Sequence, residues 1–379
     1  MIPEPILLMG GTGAIGRLSA RALRAVYPDL PLLIGGRDLL KSREVADEIG
    51  QAEGVVIDPR AEDLGLGDRK VRAVAVFYAD ERLAGLRFAQ DRRLPHLSIS
   101  SGVYEIAPEV ATYMHSPSAA AMVLGYEWLV GATTIGALVC AKAYAKIHEI
   151  TIGALVDEQD GGGPAVAEDF ERLSQMMPAA LTRRDGSYVW RSNDDARAEF
   201  HAIDGTRIEA AGFSSIDVAG LAAATGASNV QFNIATGISS SRRRGEPKST
   251  EIIIELAGED HDGHPLRTRH AVFHPGGAAQ LTALGVSMIL ERLAGLDGNA
   301  PTPAGLYFPF QVIDHATYLS RLQAEGGSIV GCIFLSRLSI TPLIFPGCRR
   351  KAAASFRWTL RGLDRTERWN DQRECVAAP

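Results

Sequence analysis

The sequence lacks the features that mark membrane-spanning, secreted and disulfide-stabilised proteins. Its longest apolar stretches, at 119–124 and 133–141, are far shorter than the roughly 18 residues that a transmembrane helix needs. The N-terminus has no positively charged segment ahead of an apolar run, which argues against a secretory signal. The cysteines are too few for a disulfide scaffold and lack metal-ligand spacing; they are Cys140, Cys332, Cys348 and Cys375. We therefore expect a cytoplasmic protein with no membrane span and no metal.

An excess of positive charge is also absent. Lys and Arg number 39 against 45 Asp and Glu, for a formal net charge of -6, whereas nucleic-acid binders usually carry a basic excess. We therefore expect a small-molecule partner and no nucleic acid, and a homodimer is compatible with this composition. Hydrophobic residues make up 46% of the chain and charged residues 22%, which excludes disorder of the whole chain. At about 100–200 residues per domain, this length predicts two domains.

Short apolar runs alternate with segments of helical spacing over residues 1–125. The runs that we interpret as strands lie at 6–9, 31–34, 55–58, 71–78 and 94–100. Helices are predicted between them, over 17–26, 39–49 and 81–93. This alternation is typical of a doubly wound parallel sheet, whose ligand crevice lies at the carboxyl ends of the strands. We predict an α/β fold in which this sheet forms the first domain.

The pattern changes after residue 125. Helices are predicted over 131–146 and 165–181, and Asp204-Gly205 and Asp262-Gly263 are hairpin turn signals between apolar runs. Successive hairpins imply an antiparallel or mixed sheet, so residues 126–275 are predicted to form a second, α+β domain. A long helix is predicted over 277–296. The segment 331–379 has no clear periodicity after Pro342, and we interpret it as a poorly ordered tail.

A glycine-rich motif directly follows the first predicted strand. It reads Gly11-Thr12-Gly13-Ala14-Ile15-Gly16, which fits G-x-G-x-x-G between a strand and a helix. Gly11 allows the tight turn, Gly13 lets the backbone approach a pyrophosphate, and Gly16 lets the helix pack closely on the strand. The helix N-terminus offers unpaired N–H groups to the phosphates. The motif predicts that the first domain is a Rossmann dinucleotide-binding domain.

The end of the second predicted strand bears on which dinucleotide is bound. NAD-binding domains usually place Asp or Glu there to bind the ribose hydroxyls, but this sequence has Gly36 and Arg37. A guanidinium suits a 2′-phosphate, so NADP is favoured, although the neighbouring Asp38 keeps NAD open. Asp58, after the third strand, can meet the adenine amine or cap the strand. Tyr78 ends the fourth strand, near the expected nicotinamide ribose.

These N-terminal motifs, together with Gly35-Gly36-Arg37, resemble those of the saccharopine dehydrogenase-like oxidoreductases. Two later segments are also similar to segments of that family: Ser214-Ser215-Ile216-Asp217, which precedes a helix, and Gly305-Leu306-Tyr307-Phe308-Pro309. The resemblance covers about residues 4–330. It implies an NAD(P)-dependent oxidoreductase with its catalytic cleft between the two domains. It also implies that residues 276–330 pack back on the nucleotide domain.

Hydride transfer to a carbonyl or imine needs a proton donor beside the nicotinamide. Residues after the fifth strand and around the sixth face that place, among them Ser98, Tyr104, His115 and Tyr126. Tyr104 and His115 are the best donors by chemistry, because each can be tuned toward neutral pH. A packing role for Tyr104, a surface or capping role for His115, and water as the proton source stay open.

Two functions are compatible with these features. The first is an oxidoreductase that reduces or forms a C=N, C=O or activated C=C bond. The second is a non-catalytic sensor that binds the same nucleotide, since a fold alone does not define a function. A sensor would need no proton donor beside the nicotinamide.

Overall fold

The computed structural model describes residues 4–100, 102–160, 171–172, 179–335 and 340–342. These residues form two sheets with helices packed against them. The first sheet has seven strands, all parallel, in the order β15-β6-β5-β4-β1-β2-β3. Its strands are β1 (Ile6–Met9), β2 (Leu32–Gly36), β3 (Ala52–Val56), β4 (Ala73–Val76), β5 (His96–Ser98), β6 (Ala121–Leu124) and β15 (Gly305–Tyr307). This is the doubly wound order, with β1 in the interior of the sheet.

Helices cover both faces of this sheet. They are α1 (Ala14–Val26), α2 (Leu39–Ile49), α3 (Ala84–Asp91), α4 (Ile106–His115) and, much later in the chain, α8 (Ala278–Leu293). Alternate β1 side chains serve the two faces: Ile6 and Leu8 belong to the hydrophobic cluster that includes α1 and α8, and Leu7 and Met9 to the cluster that includes α3. A strand buried on both faces must be continuously apolar, as this one is.

The second sheet is mixed and has ten strands. Its main path is β10-β11-β12-β7-β13-β14-β16-β17, and β8 pairs with both β12 and β9. The strands are β7 (Tyr144–Asp157), β8 (Ala179–Arg184), β9 (Ser187–Ser192), β10 (Arg197–His201), β11 (Arg207–Gly212), β12 (Asn229–Gly237), β13 (Thr250–Asp260), β14 (Pro265–His274), β16 (Ser328–Leu335) and β17 (Ile340–Pro342). β12 and β7 are parallel and the other pairs antiparallel. The predicted α/β fold with a second, mixed sheet is confirmed.

The remaining helices lie between and around the two sheets. They are α5 (Ala132–Ala141), α6 (Asp217–Thr225), α7 (Ser240–Arg243), α9 (Pro309–Val312) and α10 (His315–Ala324). Helix α8 returns from the second sheet to pack on α1, and β15 then joins the first sheet beside β6. Within the described part of the chain, every helix is too short or too polar to span a bilayer.

Several predicted element boundaries are wrong. The helix predicted over 131–146 ends at Ala141, because Tyr144 begins β7 and pairs with β13. Residues 179–181, predicted as the end of a helix, are part of β8; most of that predicted helix, 161–170 and 173–178, lies outside the described residues. The signal that we missed is Asp185-Gly186, where both φ angles are positive and the chain turns into β9.

The predicted tail begins inside a strand. β16 runs from Ser328 to Leu335 and pairs with β14 over its whole length, so residues 331–335 continue the second sheet. β17 adds one further strand to this edge. The prediction for 336–339 and 343–379 lies outside the described residues.

Candidate functional site

The turn after β1 is closed by glycines that touch other backbone. Gly10 has a φ of 81°, and a side chain on Gly11 would lie 2.9 Å from the Leu8 carbonyl oxygen. A side chain on Gly16 would lie 2.6 Å from the Gly11 Cα, so helix α1 crosses directly over the turn. Gly13 differs, because it is exposed and a side chain there would meet only the Gly10 carbonyl oxygen, at 3.3 Å. The open direction at Gly13 is the one from which a pyrophosphate can approach.

The N-terminus of α1 is free to bind an anion. Its N-cap residue is Gly13, which makes no side-chain cap, and the first turn contains no acidic residue. Ala14 and Ile15 open the helix, and Thr12 precedes the cap. The first N–H groups of a helix have no partner within the helix and attract negative charge. The residues of the motif therefore fit the phosphates of a dinucleotide, and the structure brings all six together.

The end of β2 lies against this turn. A side chain on Gly36 would lie 2.7 Å from Ser42 Oγ and 3.3 Å from a methyl carbon of Thr12. Asp38 is the N-cap of α2, and its Oδ1 accepts hydrogen bonds from the backbone N–H of Leu40 at 2.8 Å and Lys41 at 3.2 Å. Asp38 thus has a structural role. Arg37 is exposed beside it.

Tyr78 connects the turn to the next strand end. A Cβ atom on Gly10 would lie 3.0 Å from Cδ1 of the Tyr78 ring, so the ring packs against the turn. Burial raises the pKa of Tyr78 to about 12, as does the negative charge of Asp80, whereas the positive charge of Arg37 opposes the shift. Tyr78 and Arg37 are therefore close enough to interact. Asp58 is exposed and accepts a hydrogen bond from the Arg60 N–H at 2.9 Å, which is a turn contact.

The structure separates the two proton donors that we predicted. The Tyr104 hydroxyl lies 2.5 Å from Ser214 Oγ and 2.8 Å from the Ala179 carbonyl oxygen, both in the part of the chain that forms the second sheet. Its ring packs against Trp190, with 5.3 Å between ring centroids. Burial raises the pKa of Tyr104. Tyr104 therefore links the loop after β5 to the second domain.

His115 lies at the edge of the sheet opposite the glycine turn. It is the last residue of α4, is exposed, and precedes the amino end of β6. Because α4 runs back from the carboxyl end of β5, its C-terminus reaches the edge opposite the glycine turn. This position could not be foreseen without α4, which the periodicity of the sequence did not predict.

A different set of polar side chains occupies the carboxyl ends of β5 and β6. Ser98 ends β5, Tyr126 follows β6, and Glu109 lies in the first turn of α4. Glu109 Oε2 accepts hydrogen bonds from the Tyr126 hydroxyl and from Ser98 Oγ, the latter at 3.2 Å, and the two hydroxyls also contact each other. Glu109 and Ser98 are buried, whereas Tyr126 is partly exposed.

A small cavity lies behind this cluster. Its volume is ≈ 10 Å³, room for about one water molecule. The polar groups that line it belong to Tyr78, Asp80, His96, Ser98 and Glu109. Neither ring nitrogen of His96 has a hydrogen-bond partner among the described residues. Burial lowers the pKa of His96 to about 3, so the ring is neutral.

Two neighbouring buried carboxyl groups belong to Glu127, which follows β6, and to Asp217, which begins α6. Asp217 accepts hydrogen bonds from the Trp128 N–H at 2.7 Å and from Thr134 Oγ1 at 2.9 Å. Neither oxygen of Glu127 has a well-formed hydrogen bond within the described residues. Burial, and then the charge of Asp217, raise the pKa of Glu127 well above its usual range, and the nearby Thr134 hydroxyl offsets only part of this. Burial also raises the pKa of Asp217.

An all-parallel sheet of this order, with a glycine turn after its first strand, defines the Rossmann class of dinucleotide-binding folds. No protein-family model matches this sequence, and no curated protein sequence matches it either. Among solved structures, it is similar to saccharopine dehydrogenase (L-Glu forming) from Saccharomyces cerevisiae, with a TM-score of 0.62 and 13% identity over 88% of this chain and 100% of that one. It is also similar to homospermidine synthase from Legionella pneumophila, solved with NAD, with a TM-score of 0.58 and 9% identity over 92% and 96% of the two chains. The chain therefore has a saccharopine dehydrogenase-like fold.

Proposed function

We propose that this protein is an NAD(P)-dependent oxidoreductase that transfers hydride to or from a C=N, C=O or activated C=C bond. The observation that carries the proposal is the uncapped N-terminus of α1, which opens on a glycine turn at the ligand-binding edge of the sheet. The fold supports this proposal, since the two similar structures named above are a dehydrogenase and a synthase, and the synthase was solved with NAD. When bound, the dinucleotide supplies or accepts the hydride.

The substrate is proposed to bind between the two domains. Tyr104 joins the loop after β5 to Ser214 of the second domain, and Asp217 binds the backbone N–H of Trp128 just after β6. These contacts hold the second domain over the carboxyl ends of β5 and β6. A cover of this kind excludes water from the reacting atoms and supplies the groups that contact the substrate.

We further propose that the preferred cofactor is NADPH. The carboxylate that could have bound ribose hydroxyls, Asp38, is occupied as the N-cap of α2. Arg37 is exposed at the same strand end, where its guanidinium can pair with a 2′-phosphate. The positive charge of Arg37 can therefore contact a ligand at this strand end, whereas the carboxylate of Asp38 binds the N-terminus of α2.

The test measures the affinities of NADPH and NADH for the wild type and for Arg37→Ala. The expected loss for NADPH is about 1.5–3 kcal/mol, or roughly 10- to 150-fold in Kd, because a charged hydrogen bond is removed. NADH affinity should stay nearly constant. Arg87→Ala, which removes an exposed arginine from α3, is the matched control. Equal losses of affinity for NADPH and NADH would show that Arg37 does not bind the 2′-phosphate.

A second assay tests the reaction. Imines, ketones and enoyl compounds are screened with the full chain, and the oxidation of NADPH is followed by absorbance. Consumption of NADPH that depends on one substrate class supports the oxidoreductase. Tight NADPH binding with no turnover across all three classes would favour the sensor instead.

A further inference from the structure

The cluster of Ser98, Glu109 and Tyr126 lies where a proton is needed. The carboxyl ends of β5 and β6 belong to the same edge as the glycine turn after β1. In doubly wound folds the dinucleotide extends along this edge from the first strand toward the later ones. Among the three side chains, Tyr126 is the partly exposed one, and Glu109 is only 4% exposed. Tyr126 is therefore the member of the cluster that is accessible at this edge, and its hydroxyl contacts the other two.

We propose that Tyr126 is the catalytic proton donor and that Glu109 and Ser98 are its positioning residues. The inference rests on the proposed oxidoreductase function. In the reduction of a C=N or C=O bond, Tyr126 loses its phenolic proton to the substrate nitrogen or oxygen. The substrate carbon gains the hydride that NADPH loses, so the substrate is reduced and NADPH oxidised. Tyr126 regains a proton through Glu109, whose carboxylate takes up a proton from water and passes it to the phenolate.

The contacts around Tyr126 fit this role better than those around Tyr104. The Tyr126 hydroxyl contacts a carboxyl and a second hydroxyl, both of which can pass on a proton. The Tyr104 hydroxyl faces Ser214 Oγ and a carbonyl oxygen across the domain junction. A carbonyl oxygen cannot return a proton. Tyr104 is thus placed to hold the domains together.

The cavity behind the cluster extends the route for the proton. Glu109, Ser98 and His96 all line it, and its volume of ≈ 10 Å³ holds about one water molecule. A water molecule there would give a hydrogen bond to the His96 ring, whose nitrogens have no hydrogen-bond partner among the described residues, and would also contact Glu109. Buried polar atoms without protein partners are the usual sites of internal water.

The test needs no substrate, because the oxidised nicotinamide ring carries a positive charge. That charge should favour the phenolate of a tyrosine beside it. Ultraviolet difference spectra of the full chain are recorded against pH with saturating NADP⁺, with NADPH and without nucleotide. We expect one tyrosine to titrate about one pH unit lower with NADP⁺ than with NADPH. Tyr126→Phe should abolish this difference.

Two further variants separate a proton donor from a structural residue. Tyr113→Phe is the matched control, because Tyr113 is a residue of α4 in the same hydrophobic cluster as Tyr126, and it should keep the NADP⁺-dependent signal. Glu109→Gln should lower the pH at which Tyr126 titrates, because a neighbouring carboxylate disfavours the phenolate. A purely structural contact would not produce that shift.

The outcomes distinguish this inference from the proposed function. If NADP⁺ binds, as followed by calorimetry, and no signal depends on Tyr126, the assignment of the donor is overturned. If the signal disappears in Tyr104→Phe and persists in Tyr126→Phe, Tyr104 is the donor. If neither NADP⁺ nor NADPH binds to the wild type, the proposed function itself is wrong.

Discussion

The two ends of the ligand-facing edge are built from different groups. After β1, the site consists of backbone, because Gly11 and Gly16 have no room for side chains and α1 offers its N–H groups. After β5 and β6, the site consists of buried ionisable side chains, among them Glu109 and Glu127. A backbone site depends on steric fit and is indifferent to pH, whereas a side-chain site depends on protonation. The three predictions that follow test this difference.

The largest effect is expected at Gly16. Gly16→Ala places a Cβ 2.6 Å from the Gly11 Cα, and neither backbone can yield without opening the turn. We expect a loss of about 3 kcal/mol in the free energy of unfolding, together with loss of nucleotide binding. Urea unfolding and NADPH titration measure the two effects.

Gly13→Ala sharpens the same prediction. Its Cβ would meet only the Gly10 carbonyl oxygen, at 3.3 Å, so stability should change little. Affinity for NADPH should still fall, because the methyl group occupies the approach of the pyrophosphate. If Gly13→Ala unfolds the protein as readily as Gly16→Ala, the turn does not have the open side described above.

The next effect is expected at Glu127, and its sign is set by the raised pKa. A carboxyl whose pKa is raised on folding stabilises the fold below its unfolded pKa, and that stability is lost as the pH rises toward the folded pKa. For one proton the slope is at most about 1.4 kcal/mol per pH unit, and it applies only between the unfolded pKa and the folded pKa. Glu127→Gln should remove this slope.

Urea unfolding at several pH values between about 5 and 8 measures how the free energy of unfolding depends on pH. Glu81→Gln, at an exposed glutamate, is the matched control and should keep the slope of the wild type. A steeper loss of stability at high pH in Glu127→Gln than in the wild type would contradict the prediction.

The smallest effect is expected at His96, on the acid side. Its pKa is lowered by burial to about 3, so the stability that it contributes is present above its unfolded pKa and is lost as the pH falls toward 3. At pH 5.5 the loss is about 1.4 kcal/mol for one histidine. His96→Leu should flatten the stability profile between about pH 7 and 5.5.

His115→Asn is the control, because His115 is exposed at the end of α4. It should leave both the acid profile and NADPH binding as they are in the wild type. A change in NADPH-dependent turnover in this variant would restore His115 as a functional residue.

Short-range patterns were sufficient for the first half of the nucleotide site. Strand β1, the glycine turn and helix α2 were predicted correctly, because burial on both faces, close backbone contacts at glycine and helical spacing leave direct marks in the sequence. The placement of Arg37 beside Asp38 was also readable. The role of Asp38 as the N-cap of α2 could not be predicted, because its side chain could turn toward the helix or toward a bound ribose until α2 forms.

The cluster after β5 and β6 was only partly predicted from the sequence. Ser98 and Tyr126 were among the residues expected near the nicotinamide, but Glu109 was missed because the segment 106–115 was not predicted to be helical. Pro108, within the first turn of that helix, weakens its periodic pattern without breaking it. Glu109 joins Tyr126 only because α4 packs beside β6.

The sequence by itself determined the class of fold and the backbone half of the site. Glycines at a strand end and continuous apolar strands are local requirements, so they can be read residue by residue. Only the tertiary structure decided how the side chains at this edge are arranged, since it turned Tyr104 toward Ser214, placed His115 at the opposite edge and brought Glu109 beside Tyr126. The physical reason is that a side chain's partners come from distant segments, whereas a glycine turn needs only its neighbours.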